Sequence, residues 1–143
     1  MAVVEKSVLI ERTAAQMFEL VDRVEDYPQF LPWCGGTELL ERTEAKTAAR
    51  LQISYHGLKA HFATENAKEA PHWMNIELRE GPFKRMDGGW RFTPLGDTAC
   101  KVEFRLHYEF SNSILEKVLG PVFHHIANTF VESFVKRARQ IYG

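Results

Sequence analysis

The side chains from which this 143-residue chain could build chemistry include six histidines, two cysteines and four tyrosines. Their spacing assembles no recognisable centre. His56, His61, His72 and His107 fall at predicted strand ends or outward positions, and the neighbours His124-His125 point about 100° apart on a helix. No two stand at i, i+4 and no H-E-x-x-H segment occurs, so solvated surface histidines are expected and no metal site. Cys34 and Cys100 are far apart with no CxxC, which reads as two free thiols in a reducing compartment. There is no G-x-S-x-G elbow, no Cys/His pairing and no carboxylate dyad in an apolar setting. His61, Glu65 and Asn66 make only a weak polar spot. What remains is apolar: ten Phe, four Tyr and three Trp, 12% of the chain. Such side chains bring large apolar area at low entropic cost, either as packed core or as the wall of a hollow.

The elements that must position them follow from periodicity. Residues 3–12 read as a strand with Val4, Val8 and Ile10 on one side. Thr13 is a natural N-cap for a short helix carrying Met17, Phe18, Leu20 and Val21. Tyr27-Pro28 and Leu31-Pro32 end that helix, making Val24 to Gly36 a bent connection with at most one helical turn. From Thr37 to Phe110 the period is two. Leu51, Ile53 and Tyr55 form one run, Leu58, Ala60 and Phe62 a second, and Met74, Ile76 and Leu78 a third. The clearest is Cys100, Val102, Phe104, Leu106, Tyr108 and Phe110. Ala70-Pro71, Gly81-Pro82, Gly88-Gly89 and the segment from Pro94 to Asp97 bound the runs; a glycine pair in strand context also marks a bulge or sharp curvature. No phosphate-loop spacing is present. Ser113 with Glu116 forms an S-x-x-E capping box opening a helix to about Tyr142, with a kink or broken turn expected at Gly120-Pro121. Its apolar face carries Leu119, Val122, Phe123, Ile126, Phe130, Phe134 and Ile141. The fold class is α+β: one domain over residues 1–143, an antiparallel sheet with one dry face covered by a long C-terminal helix.

Composition narrows the partners. With 18 Lys+Arg against 19 Asp+Glu the net charge is −1, which argues against DNA binding and strongly basic nucleic-acid binders. Residues 1–46 hold 5 basic and 9 acidic side chains, leaving 13 and 10 in the remaining 97, so the C-terminal part is mildly basic. Lys84, Arg85 and Arg91, with Lys117, Lys136, Arg137 and Arg139, either touch phosphates or are simply solvated. No signal-peptide core or membrane-length apolar run occurs, so a cytoplasmic location is expected.

Several segments carry a resemblance. Tyr27-Pro28-Gln29-Phe30-Leu31-Pro32-Trp33-Cys34 resembles the corresponding segment of the coenzyme Q-binding START-like proteins. The stretches Gly81-Pro82-Phe83-Lys84-Arg85 and Gly88-Gly89-Trp90-Arg91-Phe92-Thr93-Pro94-Leu95 look like that family's central hairpin. Ala99 to Phe104 and the C-terminal Val135-x-Arg137-Ala138-x-x-Ile141-Tyr142 continue it. Among bacterial members, the chain is similar to the proteins named ribosome association toxins. The resemblance implies a helix-grip fold, a curved sheet around the long helix with a hydrophobic cavity. It also implies two functions, the first the expected one and the second its alternative. One is non-catalytic binding of ubiquinone or a related lipid in support of respiration, with no required cofactor and with transient contact at the inner face of the membrane. The other is binding the large ribosomal subunit and blocking subunit joining. Cavity contacts are then expected from Tyr27, Phe30, Leu31, Trp33, Tyr55, Phe62, Met74, Phe83, Trp90, Phe92, Phe104, Tyr108, Phe123, Ile126 and Phe130. The proline-fixed segment from Tyr27 to Trp33 is either a lid over that cavity or a rigid plug. Polyketide aromatase/cyclases share the layout, and Tyr55 or Tyr108 are the acids such a reaction could use; no base is located.

Overall fold

A computed structural model describes residues 2–143. Strand β1 (Ala2–Ile10) leads to helix α1 (Ala14–Asp22) and a short 3-10 helix (Val24–Gln29). Six strands follow: β2 (Cys34–Arg42), β3 (Lys46–Tyr55), β4 (Leu58–Glu69), β5 (Trp73–Glu80), β6 (Phe83–Leu95) and β7 (Ala99–Phe110). Helix α2 (Ser113–Tyr142) closes the chain. The seven strands form one antiparallel sheet in the order β1-β7-β6-β5-β4-β3-β2, so every strand but β1 lies beside its sequence neighbour. The curved sheet grips α2, the helix-grip layout.

Local chemistry explains the ends. Thr13 is extended; its hydroxyl accepts from the Gln16 N–H while the Gln16 side chain takes the Thr13 N–H, a complete capping box for α1. At α2 the cap is one residue earlier than expected. Asn112 is extended and its Oδ1 accepts from the Leu115 N–H at 2.9 Å, making Ser113 the first helical residue and not half of a capping box. The helix then runs without a break through Gly120-Pro121 for 30 residues. Ile141 is 47% exposed and off the buried face, which Ala127, Val131, Val135 and Ala138 complete instead.

The alternation on β7 is realised in full, with Cys100, Val102, Phe104, Leu106, Tyr108 and Phe110 all buried. Gly88-Gly89 does not bound a strand. Both lie inside β6, and the pairing with β5 and β7 passes through them without a register shift, so they are no bulge either. Their role is close approach: a Cβ on Gly88 would stand 2.0 Å from the Arg105 carbonyl oxygen. At this point the β7 backbone leaves β6 no room for a side chain.

Into the curved sheet α2 lays Phe123, Ile126, Phe130 and Phe134. Phe130 sits 5.5–5.7 Å from Phe104 and Trp90, and Phe134 5.4 Å from Trp90 in an edge-on contact. Pairs of this kind add about 0.5–1.5 kcal/mol each beyond buried area.

Gly88→Ala is expected to cost more than about 3 kcal/mol in urea unfolding, because its Cβ meets backbone that cannot yield. Gly120→Ala, whose Cβ would find only ordinary contacts at 3.9 and 4.0 Å, should stabilise by about 0.5–1 kcal/mol.

Candidate functional site

Between the sheet and α2 lies a cavity of about 70 Å³. Eight of the expected residues line it. Tyr27 and Trp33 come from the connection after α1, Phe62 from β4, Trp90 and Phe104 from β6 and β7, and Phe123, Ile126 and Phe130 from α2. Gly88 stands opposite Ile76 and Leu106 in the ladder, with Met86 and Trp90 two residues to either side, and all four of these neighbours line the space.

The other seven lie outside it, since facing inward is not the same as reaching the hollow. Phe92 packs edge-on against Phe18 of α1, 5.5 Å away. Phe83 stacks on Phe110 at 4.9 Å near the far end of the sheet. Tyr108 is buried against Phe123, and its hydroxyl faces His124 Nδ1 at 3.4 Å. Tyr55 is half-buried between His56 and His125 at the β3–β4 turn. Met74 is fully buried, with its sulfur facing the Asn66 amide. Leu31 is buried, its N–H donating to the Tyr27 carbonyl. Phe30 packs on Phe134 and lies under the Arg137 guanidinium, 5.1 Å from ring centre to charge. Neither tyrosine offered as an acid therefore reaches the cavity.

The segment from Tyr27 to Trp33 closes one end of the grip. Tyr27, Leu31 and Trp33 are buried, and the Tyr27 hydroxyl donates to the Val21 carbonyl at 2.5 Å. Burial, with the Asp22 carboxylate adding to it, holds that hydroxyl far above the usual phenol range. Burial also raises both thiols, Cys34 and Cys100, so neither is a ready nucleophile. Of the histidines, His107 departs from the expected solvated state: it is half-buried, 3.6 Å from Asp87.

The cavity also has a polar side absent from the expected list. On β4 the inward alternation continues past Phe62 to Thr64, Asn66 and Lys68. Asn66 gives its amide to the Met74 sulfur at 3.5 Å, while its buried carbonyl oxygen has no partner among the described residues. Beside them Lys68, its side chain 6% exposed, pairs with Asp22 at 2.9 Å, and Thr47 donates to the same carboxylate at 2.6 Å. Arg42 grips Glu25 with two bonds of 2.8 Å and the Asp22 carbonyl at 2.7 Å. This network ties the end of α1 and the 3-10 helix to β2, β3 and β4.

Size decides what the cavity can hold. At about 70 Å³ it is well short of the about 300–1,000 Å³ of sites for drug-sized ligands. On the outer face the charges are mutually engaged: Arg50 with Glu38 and Glu80, Lys46 with Glu41 and Glu65, Arg105 with Glu5. Among the described residues no cluster of His, Cys, Asp and Glu could hold a metal, and no helix is long and apolar enough to cross a membrane.

Comparison with known proteins places these features. Residues 10–135 match the family described as polyketide cyclase / dehydrase and lipid transport. The chain is 42% identical over 140 residues to the ribosome association toxin RatA of Vibrio cholerae, covering 98% of this chain and 97% of that protein. It is 26% identical over 133 residues to the mitochondrial coenzyme Q-binding protein COQ10 homolog B of Xenopus laevis, covering 90% of this chain and 54% of that one. The solved structure of the Zhui aromatase/cyclase from a Streptomyces species superposes with a TM-score of 0.81 at 16% identity, covering 99% and 96% of the two chains, a likeness of fold alone.

Lys68→Ala should destabilise by about 3 kcal/mol in denaturant unfolding, since it leaves the Asp22 carboxylate short of its closest cation. The Arg42 hydrogen bonds hold the Glu25 carboxyl at about 2, below the usual 4.5. This pair therefore stabilises above pH 4.5 and is lost as the pH falls toward 2. Glu25 is 41% exposed, so its share is at most about 1 kcal/mol. Glu25→Gln should flatten the acid limb of the stability profile by that amount.

Proposed function

The chain belongs to the polyketide cyclase / dehydrase and lipid transport family, and from that premise we propose that it acts on translation, docking on the large ribosomal subunit through its outer surface and hindering subunit joining. No bond is made or broken in its interior. The observation that carries this reading is the small cavity: about 70 Å³ between packed aromatic walls, far short of a prenylated quinone. An activity on the outer surface needs no larger hollow. Near full-length similarity to a protein named as a ribosome association toxin supports this choice of partner, where the likeness to a coenzyme Q-binding protein is weaker and spans little more than half of that protein.

The lipid-binding reading keeps one observation in its favour. The cavity wall is mostly apolar, and the Asn66 carbonyl oxygen on its polar side is unpartnered. Binding ubiquinone there would require the segment from Val24 to Trp33 to move off the grip.

The two readings separate in one experiment. Ala49 lines the cavity from β3, and Ala49→Val fills part of the space with a residue suited to a strand. Sucrose gradients after overexpression should show free subunits accumulating and the protein co-sedimenting with the large one, equally for the wild type and Ala49→Val. Protein remaining at the top with an unchanged ribosome profile, or loss of the effect in a folded Ala49→Val, would overturn the proposal.

A further inference from the structure

The first two turns of α2 are apolar on both faces. Leu115 and Leu119 pack inward, the latter 8% exposed, while Ile114 and Val118 point outward at 72% and 52% exposure. Ile114 and Val118 are i, i+4 neighbours, so they form one ridge, which the exposed Pro121 extends. An amphipathic helix that covers a sheet has no need of an outer apolar ridge.

The ridge lies at the end of the molecule where the β5–β6 hairpin turns. The Ser111 N–H donates to the Pro82 carbonyl at 3.0 Å, and Phe83 stacks on Phe110, tying that hairpin to the entry of α2. The hairpin carries Arg79, Lys84 and Arg85, and α2 adds Lys117 between the two aliphatic residues. Lys84 is 73% exposed and reaches Glu109 only at 3.7 Å. Arg79, Arg85 and Lys117 have no carboxylate partner among the described residues. Of the nearby acids, Glu80 is engaged by Arg50 at 2.7 Å, Glu109 faces Lys84, and Glu116 sits in the first turn of α2, where it complements the helix N-terminus. Free cations therefore outnumber free carboxylates around the ridge.

Area and chemistry select the occupant. Two aliphatic side chains offer on the order of 200 Å², about a quarter of the ~800 Å² per partner of a stable protein interface. The ridge has none of the aromatic anchors that carry such interfaces, and an RNA backbone rewards aliphatic side chains little. A lipid bilayer rewards both features, since short apolar side chains enter the acyl boundary while cations meet headgroup phosphates. We propose that the first two turns of α2 and the β5–β6 hairpin form a docking surface for an anionic membrane, with Ile114 and Val118 inserting and Lys84, Arg85 and Lys117 at the headgroups. The inference is independent of the ribosome reading and of what the cavity holds.

The test is co-sedimentation of the full chain with vesicles of phosphatidylglycerol and phosphatidylcholine in equal parts, against vesicles of phosphatidylcholine alone. The mixed vesicles should bind the wild type, more weakly as salt rises, and the neutral vesicles at least about tenfold less. I114S/V118S should bind the mixed vesicles about tenfold less with an unchanged far-ultraviolet circular dichroism spectrum, since both side chains already face solvent. No binding by the wild type at millimolar lipid, or equal binding by the double variant, would sink the proposal. A double variant that leaves vesicle binding intact but loses co-sedimentation with ribosomes would assign the ridge to the ribosome instead.

Discussion

The architecture depends on one close approach, that of β6 to the β7 backbone at Gly88. The Arg105 carbonyl occupies the place a side chain would need, and only glycine lets the strands come that near. The curved sheet forms a trough in which α2 lies. The trough is then refilled. Trp90 and Phe104 rise from its floor, Phe130 and Phe134 descend from the helix, and Tyr27 and Trp33 close the end, leaving about 70 Å³. The device that could make a lipid chamber here makes an almost solid core.

Charge follows a similar inward logic. The first third of the chain holds an acidic excess, yet much of it is engaged within the molecule. Glu25 is held by Arg42, Glu38 by Arg50, Glu41 by Lys46, and Asp22 by Lys68 and Thr47. The Asp22–Lys68 pair lies at the junction of α1 with β3 and β4. A buried pair of this kind adds little net stability over apolar packing. Its geometric effect is plainer: the helix is fastened to the sheet at one register, and the plug from Tyr27 to Trp33 is fixed with it.

Much of this was legible in the residues, and the part that was not has identifiable causes. The β7 alternation from Cys100 to Phe110, the Thr13 cap and the position of the long helix follow from periods and capping chemistry, which are local. Period two tells which face a residue occupies but not how far along the sheet it sits, so Phe83, Phe92 and Tyr108 face inward without reaching the cavity. Thr64 and Lys68 carry no signal of their own, and Asn66 reads only as part of a weak polar spot, because polar residues at inward positions look like the end of a dry face. Only the approach of Asp22 from α1 explains why Lys68 can be buried there. Gly88-Gly89 looked like punctuation because the reason for it, the Arg105 carbonyl, lies in another strand.

As packed, the grip leaves about 70 Å³, too little for a prenylated lipid, so the purified protein is expected to carry none. Native mass spectrometry of the protein purified from cells without denaturation tests it most directly. A single species at the mass of the bare chain is expected. A near-stoichiometric species heavier by one prenylated quinone or other lipid, released on mild activation, would contradict it.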